Sequence, residues 1–204
     1  MSISFRDIFR PSDGIFRRLP TIEGRRVVLR AIKMSDARDI YDYCSDDMVA
    51  KHVMWEAYDG MGDARSFVRF IQRLYKNDEP SSWGITLPGS NKVIGTVGFM
   101  WWNREYKAAE VGYSLSRDYW NRGIMTEALA LILDFGFKRM SLNRIEAQHV
   151  DANAASGRVM EKCGMKKEGV LRSRIFSKGE FRDMVLYAIL KSDPRPVIKK
   201  SYDV

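Results

Sequence analysis

Apolar positions along the chain change period several times, and each change marks an element. Arg25–Ile32 (RRVVLRAI) reads as a first strand. Ser35 can cap a helix through about Cys44, with Ala37, Ile40, Tyr41 and Cys44 on one face. After a loop bearing Gly60 and Gly62, Asp63 can cap the most clearly amphipathic helix, with Phe67, Phe70, Ile71, Leu74 and Tyr75 inward and Arg65, Arg69, Arg73 and Lys76 outward. The period then shortens to that of strands. Ser82–Leu87, Val93–Trp101 and Ala108–Leu115 form an antiparallel meander whose turns are Pro88–Asn91 and Asn103–Lys107. Helical spacing returns over Gly123–Arg139, with Ala128, Leu131, Ile132 and Phe135 inward. Arg144–Val150 is a strand, and Asn153 can cap a helix to Cys163 that Gly164 ends. Gly169–Phe176 and Phe181–Leu190 make a hairpin around Ser177–Glu180. The order β-α-α-β-β-β-α-β-α-β-β predicts an α+β fold, a mixed sheet with helices on its faces. Residues 1–20, with Pro11, Gly14, Pro20 and scattered Arg, read as an N-terminal basic arm outside the core, residues 21–191 as one domain and residues 192–204 as a tail.

Composition narrows the class. With 204 residues, 45% hydrophobic and 29% charged, the chain can bury a core without a metal or disulfide staple. Cys44 and Cys163 lie far apart and outside any C-x-x-C spacing, which predicts a reducing compartment and no structural zinc. His52 and His149 are too scattered for a metal centre. No apolar run approaches the ~20 residues of a membrane span, and the N-terminus lacks a secretory apolar region, so a soluble, cytoplasmic protein is expected. The net charge of +8 is uneven. Residues 1–33 carry eight Lys or Arg against three acids, whereas residues 34–63 carry eight acids against Arg38 and Lys51. Such a balance suits a nucleic-acid binder, a guest on the ribosome, or a protein that handles a polyanionic cofactor, and charge does not choose among them.

The informative stretch runs from Glu110 to Ala128. A strand ends near Leu115, a loop carries Asn121-Arg122-Gly123, and a helix starts at once. Amides at a helix N-terminus make an anion site, and Gly lets the backbone approach a phosphate. The spacing is neither Walker A nor G-x-G-x-x-G, so neither a nucleotide triphosphate nor NAD is indicated. A helix start with an incidental Arg and Gly reads as well from this segment alone.

Four motifs in order carry a resemblance over roughly residues 20–190. They are Tyr119–Leu129 (YWNRGIMTEAL), Asn143–Ala147 with Asn153–Ser156, Glu161–Gly169, and Phe181–Leu190. Together they resemble the GNAT family of N-acetyltransferases, in particular its branch acetylating the N-terminal alanine or serine of ribosomal proteins. That resemblance implies the GNAT fold, with a mixed, mostly antiparallel sheet and helices on both faces. It implies acetyl-CoA as cofactor, its pyrophosphate held by amides around Arg122, Gly123, Ile124, Met125 and Thr126. Its pantetheine arm would pair with the backbone of Tyr113, Ser114 and Leu115, while Trp120, Asn121, Asn153, Ser156 and Lys162 complete the set. Trp120 and Met125 depart from the family's general loop pattern, Gln/Arg-x-x-Gly-x-Gly/Ala, in a way this branch tolerates.

The implied reaction is direct attack by an amine through a tetrahedral intermediate. An α-amine titrates near about 8 and a lysine near about 10.4, so an α-amine needs only a modest base. Glu110 is the candidate general base; its alternative is a polar residue alternating with buried Ala109 and Val111. Many family members use as acid a Tyr where Met160 stands here, and a thioether donates no proton. Ser156 is then the candidate acid, or a helix-start residue beside Asn153. Some members of the branch carry a carboxylate where Ile175 appears. His52 reads as packed loop structure, with a substrate-contacting or base role as the alternative. One ring of Trp101-Trp102 is expected to pack while the other flanks the site, and Cys163 to be buried and inert. Asp46, Asp47, Glu56 and Asp59, with Trp55, either line a channel for a cationic acceptor or form a solvated face.

The acceptor expected is an amine, foremost the N-terminus of a basic, ribosomal protein. A small amine or antibiotic, or an idle CoA-binding or ribosome-associated module, are the rivals. No membrane, metal or direct nucleic-acid partner is required, and either a monomer or a homodimer is compatible.

Overall fold

The structure is a computed structural model describing residues 14–196. Eight strands form one sheet: β1 (Ile22–Glu23), β2 (Val28–Arg30), β3 (Ser82–Thr86), β4 (Gly95–Asn103), β5 (Ala108–Leu115), β6 (Arg144–Val150), β7 (Lys166–Ser177) and β8 (Glu180–Leu190). Their spatial order is β1-β2-β3-β4-β5-β6-β8-β7, antiparallel throughout except for the parallel pair β5–β6. Among the described residues five α-helices cover it: α1 (Ala37–Cys44), α2 (Asp47–Ala50), α3 (Met61–Asn77), α4 (Ile124–Arg139) and α5 (Ala154–Lys162). This is the α+β architecture expected, with helices on both faces.

Two apolar clusters hold the layers. On one face α4 and α5 pack on Val97, Phe99, Val111 and Ile145. On the other, Ile40, Tyr43, Ala64, Val68 and Ile71 of α1 and α3 pack with Ile32 and Val93. The face of α3 is rotated from the expected one. Val68 is wholly buried, whereas Phe70 is 45% exposed.

Residues 14–20 also differ from expectation, because they join the core. Phe16 is fully buried in edge-on contact with Trp83, Phe99 and Trp102. The Asp78 carboxylate, just past α3, accepts from the amides of Gly14, Phe16 and Arg17, and the Trp83 indole donates to the Pro20 carbonyl. The rest of the expected arm lies outside the described residues. Residues 192–196 of the expected tail fold back too, with Asp193 bonded to Lys166 and the Arg195 guanidinium 4.4 Å above the Phe137 ring. No helix among the described residues is long and apolar enough to cross a membrane.

Candidate active site

The site begins where the sheet divides. β5 and β6 pair only over Ala108–Glu110 and Arg144–Glu146. Beyond that, β5 continues to Leu115 beside β4, while β6 continues to Val150 beside β8. The β6-facing side of Val111–Leu115 therefore carries ladder groups without a strand partner, which an extended amide-bearing ligand can use. A cleft of about 580 Å³ opens there, lined by Tyr113, Ser114 and Leu115 on one side and Asn153–Ser156 on the other.

One end of the cleft is a helix start. Asn121 (φ 59°) and Gly123 (φ 73°) both take left-handed backbone, which turns the chain sharply from β5 into α4. The Trp120 indole donates to the Leu115 carbonyl at 2.8 Å and closes the loop. First-turn amides of α4 have no acceptor within the helix, so this end suits an anion. Trp120, Asn121, Gly123, Met125 and Thr126 line the cleft. Two expected residues do not. Ile124 is buried, and the Arg122 guanidinium lies 5.6 Å from the Tyr119 ring while its carbonyl accepts from Arg26. Lys162 lines the cleft together with Arg158, a residue not anticipated although it stands one helical turn before Lys162 on α5. These cations and the α4 N-terminus give the cleft the charge that CoA phosphates require, and the open β5 edge suits its amide arm.

At the vertex of the fork stands Glu110, opposite Glu146. A β-bulge places its partner. The β4–β5 register slips between Phe99 and Trp101, so Met100 is extra and the alternation of inward and outward residues changes phase. Trp102 consequently packs on the core, while the Trp101 Nε1 donates to Glu110 Oε2 at 2.7 Å. The Gln148 amide reaches the same oxygen at 3.5 Å, and Oε1 accepts no bond among the described residues. Burial pushes the Glu110 carboxyl above its ordinary value, the Trp101 bond opposes that, and nearby Glu146 adds to it.

Farther along β5, the Tyr113 hydroxyl is 2.8 Å from Ser156 Oγ and donates at 3.0 Å to the Ser156 carbonyl. Asn153 Oδ1 accepts from the Ser156 amide, as a cap should. Ser156 thus lies in the cleft and at a helix start at once. Burial raises the Tyr113 phenol well above its usual range, so it stays protonated and neutral. Met160 is buried in the core. Burial also pushes the Cys163 thiol up to about 12, leaving it unreactive.

The other wall comes from α2 and the loop after it. Met48, Val49, His52 and Val53 line the cleft. Burial, helped by Lys51, Arg182 and Lys178, lowers the His52 imidazole. The acids expected along an acceptor channel are absent from this lining. Asp46 caps α2 through the Met48 amide and pairs with Arg117 at 3.0 Å. Glu56 is 3.7 Å from Lys178, Asp47 and Asp59 are exposed, and Trp55 stacks near Tyr58. Upstream, Asp36 binds Arg30, Asp39 accepts from the Val93 amide, and Asp42 pairs with Arg38. Most of the acidic block is therefore engaged in holding α1, α2 and α3 in place. Lys178, at the tip of the β7–β8 hairpin, donates to the Ala50 carbonyl at 2.7 Å and ties the hairpin to that wall.

A family model described as an acetyltransferase (GNAT) domain matches residues 26–166. The chain is 31% identical over 175 residues to the uncharacterized N-acetyltransferase p20 of Bacillus licheniformis, covering 86% of this chain and 98% of that protein. It is 26% identical over 181 residues to the [ribosomal protein uS5]-alanine N-acetyltransferase of Escherichia coli, covering 84% and 91% respectively. Among solved structures it is similar to a GNAT-family acetyltransferase from Bacillus anthracis, with 31% identity, a TM-score of 0.75, and coverage of 84% of this chain and 98% of the other.

Proposed function

The chain belongs to the GNAT acetyltransferase family and is an acetyl-CoA-dependent N-acetyltransferase, and from that premise we propose that its acceptor is the N-terminal α-amine of a protein, a ribosomal protein foremost. The observation that carries this reading is the half-buried carboxylate of Glu110 at the vertex of the fork, whose neighbour Glu146 is tied up by Arg144. The raised Glu110 carboxyl is a modest base, matched to an α-amine that is already partly neutral near pH 7 and poorly matched to a lysine. Similarity along nearly the whole length of the E. coli uS5-alanine acetyltransferase supports the same acceptor class.

Bound acetyl-CoA supplies an activated acetyl thioester. The α4 amides with Arg158 and Lys162 would hold its phosphates, and the free β5 edge over Tyr113–Leu115 would pair with its amide arm. Trp101 fixes one Glu110 oxygen and leaves the other free to take the proton of the attacking amine, directly or through a water. The Ser156 hydroxyl, 2.8 Å from that of Tyr113, would turn its proton from Tyr113 to the leaving sulfur and be reprotonated from solvent.

The test is CoA release followed with a thiol reagent, across basic peptides with free or blocked N-termini and a set of small amines. Turnover confined to free N-termini is expected. Turnover confined to small amines overturns the proposal in favour of a small-molecule acceptor, and acetyl-CoA binding with no turnover on any acceptor overturns it in favour of a non-catalytic module.

A further inference from the structure

The outer face of α3 has no part in the site described. Arg65, Arg69, Arg73 and Lys76 are all exposed and, by helix geometry, fall within an arc of about 80°. Successive arginines are four residues apart, a rise of about 6 Å, close to the separation of neighbouring phosphates on one nucleic-acid strand. None of the four has an ion pair with a carboxylate among the described residues. Arg69 bonds the Ser66 hydroxyl, and the Arg73 guanidinium lies 5.4 Å from the Phe70 ring.

Two facts distinguish this stripe from an ordinary solvated face. Several acids of residues 36–63 are engaged elsewhere: Asp36 with Arg30, Asp42 with Arg38, Asp46 with Arg117, and Asp63 with the amides of Asp59 and Gly60. Phe70, 45% exposed, adds an aromatic ring at one edge of the stripe, beside Arg73. A row of phosphate-spaced cations flanked by an aromatic surface is the arrangement that tracks a single strand and stacks a base.

We propose that the Arg65–Lys76 face of α3 is a docking surface for single-stranded RNA. The choice of RNA over other polyanions rests on the ribosomal acceptor proposed above, since the N-terminus of such a protein is presented among RNA. α3 belongs to the same helical layer as α2, whose residues line the cleft. RNA on this face would therefore hold the acceptor wall near its substrate without entering the cleft.

The experiment is fluorescence anisotropy of a labelled 20-nucleotide single-stranded RNA with the full chain, titrated across salt concentration. The combined variant R65Q/R69Q/R73Q is compared with the unaltered protein. Each phosphate contact on a single strand contributes about 0.7 to the slope of log K against log salt, so the variant should lose about 2 from that slope. Binding at low salt should weaken at least tenfold. Phe70→Ala should weaken binding with no change in slope, because stacking releases no counterions. Acetylation of a short peptide should be unchanged in both variants, which shows that they fold and separates this proposal from the acceptor assignment. An unchanged slope in the triple variant, tighter binding to DNA of the same length, or preference for a polyglutamate peptide or anionic vesicles overturns the proposal.

Discussion

Glu110 holds its charge against its surroundings, which ties activity to stability. The fold favours its protonated form, so its contribution to stability is present at low pH and lost as pH rises through the raised folded value. Glu110→Gln removes that loss and keeps an oxygen for the Trp101 indole. It should melt higher than the unaltered protein at neutral pH, with the difference vanishing in acid, while kcat falls on the order of a hundredfold. Scanning calorimetry from pH 4 to 8, beside steady-state kinetics, checks both halves. An equal or lower melting temperature at pH 7 would contradict the burial argument. Tyr113→Phe should reduce kcat roughly fivefold, the equivalent of about 1 kcal/mol for one lost bond to Ser156. Ser156→Ala should cost more. Gly123→Ala introduces a side chain at φ 73° whose Cβ would lie 2.9 Å from the Arg26 guanidinium. It should raise the KM for acetyl-CoA several-fold and leave kcat at saturation nearly unchanged.

At the scale of elements, burial in the first described turn carries more stability than its composition implies. Phe16→Ala should destabilise by about 3–5 kcal/mol in urea unfolding, the cost of a large core truncation; a loss below 1 kcal/mol would return that segment to the role of an arm. Local composition misleads here because Gly14, Pro20 and the flanking arginines suit a loop, while the burial comes from residues far along the chain, Asp78 and Trp83. β5 and β6 run as their periodicity indicates, Ala108–Leu115 and Arg144–Val150, because turn residues bound them sharply. α2, four residues long, and β1, two residues long, carry too little periodicity to be read. The β4 bulge is equally hidden, since it is a property of pairing and not of one strand, yet it decides that Trp101 and not Trp102 meets Glu110. For the acids of residues 36–59, a carboxylate awaiting a cationic ligand and one capping a helix are the same letter. Only the placement of Arg117, Arg30 and the amide of Met48 distinguishes them.

For the whole molecule, the acceptor wall and the far edge of the sheet are joined at Lys178, which reaches Ala50 across 128 residues of sequence. Lys178→Ala should raise the KM for the acceptor while sparing that for acetyl-CoA, and equal changes in both would show that the clasp does not shape the acceptor side. The division of the sheet has another consequence. Strands β1–β5 and the group β6, β8 and β7 are joined in the sheet by only three paired residues on each of β5 and β6. A ligand laid along the free edge of β5 would act as a ninth strand between the two halves. At a hundred times its dissociation constant, such a ligand adds about 2.7 kcal/mol, which in a chain of this size raises the melting temperature by roughly 5–10 °C. Hydrogen exchange should show the same event as slowed amides along Val111–Leu115 and the facing part of β6, so that the sheet closes into one cooperative unit only when its substrate is in place.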